Sequence, residues 1–139
     1  MPPFRKADHE DAQAILTLWK LAGSAPSITD TLEDVRRMAK HDNAAFILAV
    51  EQGQIVGSII AAYDGWRGNI YRLAVHPDFR RRGLALALVR EAEAAFRMWG
   101  VKRVSALVLK EHPWAVGFWK AAGYTLDEGD VRFFLDLKA

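Results

Sequence analysis

The chain predicts a single α/β domain over residues 1–139, a mixed sheet with helices on both faces. Three observations carry this. Two apolar runs without alternation, Ala45 to Val50 and Ile55 to Ala62, read as strands covered on both sides. Several stretches carry apolar residues at helical spacing. The strongest of these helices opens at a glycine directly after a strand and a short loop.

The elements follow in order. Phe4 to Ala7 reads as a first strand. Asp8 is placed to cap a helix whose apolar stripe is Ile15, Leu18, Trp19 and Ala22. Gly23-Ser24-Ala25-Pro26-Ser27 breaks that helix. Asp30 with Glu33 has the spacing of a capping box for a second helix, with Leu32, Val35, Met38 and Ala39 on one face. The two apolar strands are joined at Gln52-Gly53 as a hairpin. A turn over Asp64 to Asn69 leads to a strand from Ile70 to Val75, ended by Pro77-Asp78. A helix opens at Arg82 or Gly83, buries Leu84, Leu88, Ala92, Ala95, Phe96 and Trp99, and stops at Gly100. Val104 to Leu109 is the next strand. Pro113 suits a first helical position, and that short helix ends at Gly123. Alternation of Val131, Phe133 and Leu135 with Arg132, Phe134 and Asp136 predicts a closing strand from Val131 to Leu137, and a short extra strand fits around Tyr124. The predicted order is β-α-α-β-β-β-α-β-α-β.

Composition narrows the chemistry. The 139 residues include no cysteine, which excludes a disulfide framework, a thiolate metal site and a cysteine nucleophile. The four histidines, His9, His41, His76 and His112, lack metal-ligand spacing, so no metal is expected. A net charge of +2 is too small to indicate nucleic acid. The absence of a signal-peptide core or a membrane-length apolar run predicts a cytoplasmic protein with no membrane partner.

The chemistry concentrates in Leu73-Ala74-Val75-His76-Pro77-Asp78-Phe79-Arg80-Arg81-Arg82-Gly83-Leu84-Ala85. A strand ends, a loop follows, and a helix starts at Gly83. The first amides of a helix have no intrahelical partner, point the same way, and lie at the positive end of the helix dipole. Such a place receives phosphate. Gly83 allows close backbone approach, small Ala85 leaves the next turn clear, and Arg80, Arg81 and Arg82 add positive charge. Neither G-x-x-x-x-G-K-S/T nor G-x-G-x-x-G occurs, so this is neither a P-loop nor a dinucleotide fingerprint.

Arg80-Arg81-Arg82-Gly83-Leu84-Ala85 resembles the pyrophosphate signature Q/R-x-x-G-x-G/A of the GNAT N-acetyltransferase family, in its bacterial single-domain form. Leu73-Ala74-Val75-His76-Pro77 resembles that family's L-A-V-x-P strand end, and Gly117 to Tyr124 resembles its A-x-x-x-Y-x-x-x-G-F block. The resemblance implies the GNAT acyl-CoA N-acyltransferase fold, with acetyl-CoA as cosubstrate and an amine of a small molecule, peptide or protein as acceptor. The strands of Leu73 and of Val104 to Leu109 are then expected to splay around the pantetheine arm. Backbone groups of Leu73, Ala74 and Val75 would hold the arm and polarise the thioester. Arg80 and the amides from Arg81 through Gly83, Leu84 and Ala85 would hold the pyrophosphate. His112 and Trp119 would flank the arm, and dimers are common among relatives.

Two departures from the family pattern bear on mechanism. Trp119 stands where many relatives carry a tyrosine that protonates the departing thiolate, and an indole N–H is no usable acid. Leu107 stands where relatives often carry a glutamate base. Tyr71, two residues before Leu73 and so expected on its strand face, is the best candidate for a replacement acid, with Asn69 further out on that face to orient a water; the alternative is a water-relayed base with the thiolate leaving unassisted. Two other functions compete with transfer: a module that binds acetyl-CoA without reacting it, and an interaction domain using the arginine cluster.

Overall fold

The computed structural model describes residues 1–137, apart from the side chain of Pro113. The chain forms two compact units, Met1–Ala106 and Leu107–Ala139.

The first unit holds a five-stranded sheet in the order β1-β2-β3-β4-β5. The strands are β1 (Phe4–Lys6), β2 (Ala44–Glu51), β3 (Gln54–Tyr63), β4 (Gly68–Val75) and β5 (Val104–Ala106). Neighbours pair antiparallel except β4 and β5, which are parallel. Helices α1 (Ala12–Ala22), α2 (Leu32–Ala39) and α3 (Leu84–Met98) complete this unit.

Cross-strand register explains why the apolar runs do not alternate. Phe46 pairs with Ile60 and Leu48 with Ser58, and this face meets Trp19 and Ile15 of α1 and Val35 and Ala39 of α2 in one buried cluster. The opposite face carries Ala49 and Gly57 under Leu84 and Leu88 of α3. The residues of these two apolar runs are therefore covered whichever way they point.

The caps follow local chemistry. The Asp8 side chain accepts from the Glu10 amide and Asp11 returns a bond to the Asp8 amide, closing a capping box before α1. Bonding to Arg5, at 2.8 and 2.9 Å, is the main influence holding the Asp11 carboxyl below its ordinary value. Helix α2 is capped one residue later than the sequence predicts. Thr31 Oγ1 accepts from the Asp34 amide, whereas Asp30 is engaged by Arg72.

The second unit contains α4 (Pro113–Ala121), closed by Gly123 at φ +100° and by the Tyr124 amide donating to Trp119 O at 3.0 Å. No strand forms around Tyr124, whose amide is used in that helix end. The predicted closing strand is not formed either. Residues 131–137 have no strand pairing, and Val131, Phe133 and Leu137 are 80%, 92% and 84% exposed. Alternation specifies which side chains share a face, but a strand exists only through hydrogen bonds to a partner. For the same reason β5 ends at Ala106 rather than Leu109: its last ladder pair is Ile70 with Ala106. The observed order is β-α-α-β-β-β-α-β-α among the described residues.

Candidate active site

The site is built on the C-terminal half of β4 and the start of α3. Parallel pairing with β5 covers Gly68, Asn69 and Ile70 only, so Tyr71 to Val75 run on without β5 alongside. Towards β3, Ser58 pairs with Ala74 and Ile60 with Tyr71, so Arg72 and Leu73 together oppose Ile59. This two-against-one arrangement is a β-bulge, and Arg72 sits in it with φ +54°. A non-glycine residue there costs roughly 1–2 kcal/mol and persists because its surroundings hold it. The Arg72 carbonyl accepts from the Ser58 hydroxyl at 2.8 Å. Its guanidinium donates to Asp30 Oδ1 at 2.6 Å and Ala25 O at 2.9 Å, and lies 4.8 Å from the centre of the Trp19 ring.

The bulge overturns one step of the sequence reading. Alternation places Tyr71 on the face of Leu73, but the register puts it with Ile60 and Ala74, on the side covered by α1 and α2. Tyr71 is about half exposed there. Leu73 is half-buried, and Ala74 and Val75 are buried. Asn69 pairs with Ala62 and shares the face of Tyr71.

Beyond β4 the chain makes a short 3₁₀ turn over Pro77–Phe79, capped by His76 Nδ1, which accepts from the Asp78 amide at 3.1 Å. Arg81 at φ +62° and Gly83 at φ +79° then both adopt the left-handed conformation, and α3 starts at Leu84. Among the described residues no hydrogen bond engages the amides of Arg80, Arg81, Arg82 or Gly83. With the first amides of α3, including Leu84 and Ala85, they form a run of free donors. A Cβ built on Gly83 meets only the tip of Met1, at 4.0 Å, so the position is open as well as left-handed.

The three arginines are not equivalent. Arg80 donates to the Ala22 carbonyl at 2.8 Å, tying the loop to the end of α1. The Arg82 guanidinium lies 5.1 Å from the centre of the Phe79 ring. Arg81 has no ion-pair or hydrogen-bond partner among the described residues.

The remaining candidates lie in the second unit. His112 is the N-cap of α4, makes no side-chain capping bond, and packs against Trp114 at 5.3 Å. Trp119 meets Phe118 and Tyr124 edge-on, at 5.4 and 4.8 Å. Leu107 is exposed, and a Cβ on Gly117 meets nothing within 4 Å.

A cavity of about 560 Å³ lies at the other end of β4, lined by Tyr63, Trp66, Arg67, Gly100, Lys102 and Arg103. It contains none of the residues expected to bind the cofactor or to act in catalysis. Beside it, the Asp64 carboxyl is held below its ordinary value by the amides of Arg67 and Trp66. Among the described residues no cluster of three metal-ligating side chains occurs, and no helix is long and apolar enough to cross a membrane.

The site thus combines a bulged strand that outruns its parallel neighbour with a loop of free amides opening a helix. Residues 12–124 match the Acetyltransferase (GNAT) family, and the chain belongs to it. An acetyltransferase of Pectobacterium atrosepticum is 35% identical over 115 residues, covering 83% of this chain and 82% of that one. Two aminoglycoside acetyltransferases share the fold. The apo enzyme AAC(6')-IG of Acinetobacter haemolyticus has a TM-score of 0.79 at 19% identity, covering 98% of this chain and 99% of its own. AAC(6')-Iy, solved with CoA, has a TM-score of 0.79 at 19% identity, covering 98% and 95%. The protein is thus an enzyme of the acetyltransferase class.

Proposed function

We propose that the enzyme transfers the acetyl group of acetyl-CoA to a primary amine of a small molecule or peptide, by direct attack in a ternary complex. The observation that carries this reading is the run of free amides at Arg80 to Gly83, leading into α3 immediately after β4. A diphosphate there would satisfy donors that the protein leaves open, with help from the helix dipole and Arg81. The pantetheine arm then runs back along Leu73, Ala74 and Val75, where β4 lacks β5 alongside. His112 and Trp119 stay in the proposal as arm contacts on the family resemblance alone. The family match runs across both compact units, which supports treating residues 1–139 as one domain.

In the reaction the amine nitrogen, once deprotonated, attacks the thioester carbon. The carbonyl oxygen takes up negative charge, the C–S bond breaks, and the sulfur leaves as thiolate to be protonated. An alkylammonium has a pKa of ~10, so a base or a water must first remove its proton. A backbone donor at the developing oxyanion contributes a few kcal/mol, about 10²–10³ in rate. Tyr71 is the proposed acid for the thiolate. It stands on the strand beside the bulge and is exposed on the side of α1 and α2. The reading is of a cytoplasmic enzyme that needs no metal.

Calorimetry with acetyl-CoA and release of CoA thiol over an amine panel test this together. The panel includes aminoglycosides, because the structural neighbours acetylate them. Binding with turnover on at least one amine is expected; a protein that ignores coenzyme A refutes the reading. With an acceptor in hand, Tyr71→Phe is expected to lower kcat by about 10² or more, the scale of general acid catalysis, with little change in acetyl-CoA affinity. An unchanged kcat at saturating substrates removes Tyr71 from the mechanism.

A further inference from the structure

Ser58 is a polar side chain with zero exposure, on a strand otherwise packed with apolar residues. Its hydroxyl is fully used. Trp19 Nε1 donates to it at 3.0 Å, and it donates to the Arg72 carbonyl at 2.8 Å. The directions are fixed by chemistry. An indole N–H only donates and a carbonyl only accepts, so the hydroxyl proton must point at Arg72 O. This links a helix on one face of the sheet, the middle of β3 and the bulge in β4.

We infer that Ser58 is a positioning residue for acyl transfer, holding the Arg72 carbonyl so that the Leu73 amide faces the thioester oxygen. The inference rests on the acetyl-CoA reading above. A trans peptide is planar, with its C=O and N–H directed oppositely. Pinning the Arg72 carbonyl towards Ser58 therefore directs the Leu73 N–H away from it. The left-handed Arg72 gives this peptide an orientation that a regular strand would not. The same residue is held a second time through its guanidinium, by Asp30 and Ala25 O from the loop between α1 and α2. An oxyanion donor contributes only when it is fixed before charge develops, and the buried hydroxyl supplies that rigidity.

The test uses acetyl-CoA labelled with ¹³C at the thioester carbonyl, bound to the intact protein, with the carbonyl stretch read by isotope-edited infrared difference spectroscopy. A well-aimed donor lowers this frequency. The wild type is expected to show a clear downward shift. Ser58→Ala is expected to lose most of it while keeping its coenzyme A affinity, because the diphosphate loop is separate from the bulge. Ser58→Thr, which retains a hydroxyl, is expected to retain the shift. Arg72→Gly, which reaches a positive φ without strain and leaves Ser58 its carbonyl, is also expected to retain it. Should Ser58→Ala not fold, Ser58→Cys weakens both hydrogen bonds at similar shape and should show a partial loss. A shift that survives in Ser58→Ala, or in Ser58→Cys where that is the variant that folds, overturns the inference. So does a shift lost only in step with coenzyme A affinity, which would mark a merely structural role. A wild type that binds no coenzyme A is a different result, which removes the functional reading itself.

Discussion

Gly83→Asn is expected to weaken coenzyme A binding by about 10- to 100-fold while leaving the protein folded. The position is left-handed at φ +79°, and asparagine is among the side chains that tolerate this region best. A Cβ there meets only Met1 at 4.0 Å, so the fold has room for it. Being at the end of the run of free amides from Arg80 to Gly83, the new side chain is expected to crowd a diphosphate bound to them. Hydrogen bonds to a charged group contribute about 1.5–3 kcal/mol each, and losing one corresponds to that fall in affinity. Titration calorimetry with coenzyme A, beside a thermal melt, separates the two effects. Gly83→Val is the harsher companion. Its β-branched side chain adds roughly 1–2 kcal/mol of backbone strain, so the melt should drop too. Unchanged affinity in Gly83→Asn would mean that the diphosphate does not sit on these amides.

The loop proposed to hold the diphosphate was legible as a loop because its signal is local. A strand, a short loop and a glycine-opened helix lie within thirteen consecutive residues, and the structure puts Gly83 directly before α3. The bulge next door was not legible. Nothing in Tyr71-Arg72-Leu73 marks the arginine as left-handed, because what holds it comes from Ser58, Asp30 and Ala25, far away in sequence. Period-two reasoning from Leu73 to Tyr71 therefore put the two side chains on one face, whereas the register separates them. The cap of α2 failed for a related reason. Asp30 and Thr31 both suit an N-cap, and the long-range partner Arg72 takes the aspartate. Residues 131–137 carry the pattern of a strand without the partner that makes one. The apolar runs of β2 and β3 were read correctly because covering both faces leaves its mark along the strand itself. Arg80 and Arg82 were counted by charge alone, and only the structure shows that one ties down α1 and the other lies on Phe79.

Gly68 is glycine for the opposite reason to Gly83, and its replacement should have the largest effect on stability. Its φ is not positive, so conformation does not demand it. Space does. A Cβ built there falls 2.6 Å from Phe96 Cδ1 and 3.0 Å from Cζ, and closer still to Cε1. Phe96 is 1% exposed and meets Trp99 edge-on at 6.0 Å, while Trp99 stacks on Tyr63 at 5.6 Å. The ring therefore has few places to go. The backbone is equally held: the Gly68 amide donates to Arg103 O at 3.0 Å, and the residue pairs with both Tyr63 and Val104. Gly68→Ala should cost about 1–3 kcal/mol by overpacking. For a chain of this length that is a fall in Tm on the order of 2–12 °C. Coenzyme A affinity should hold in whatever fraction stays folded, since Gly68 begins β4 and the loop proposed to hold the diphosphate follows its end. A double-mutant cycle isolates the cause. Phe96→Leu alone destabilises by opening space, but combined with Gly68→Ala it should recover part of the loss, because the smaller side chain makes room for the new methyl. Strict additivity of the two changes would mean that contact with Phe96 is not what requires a glycine at this position.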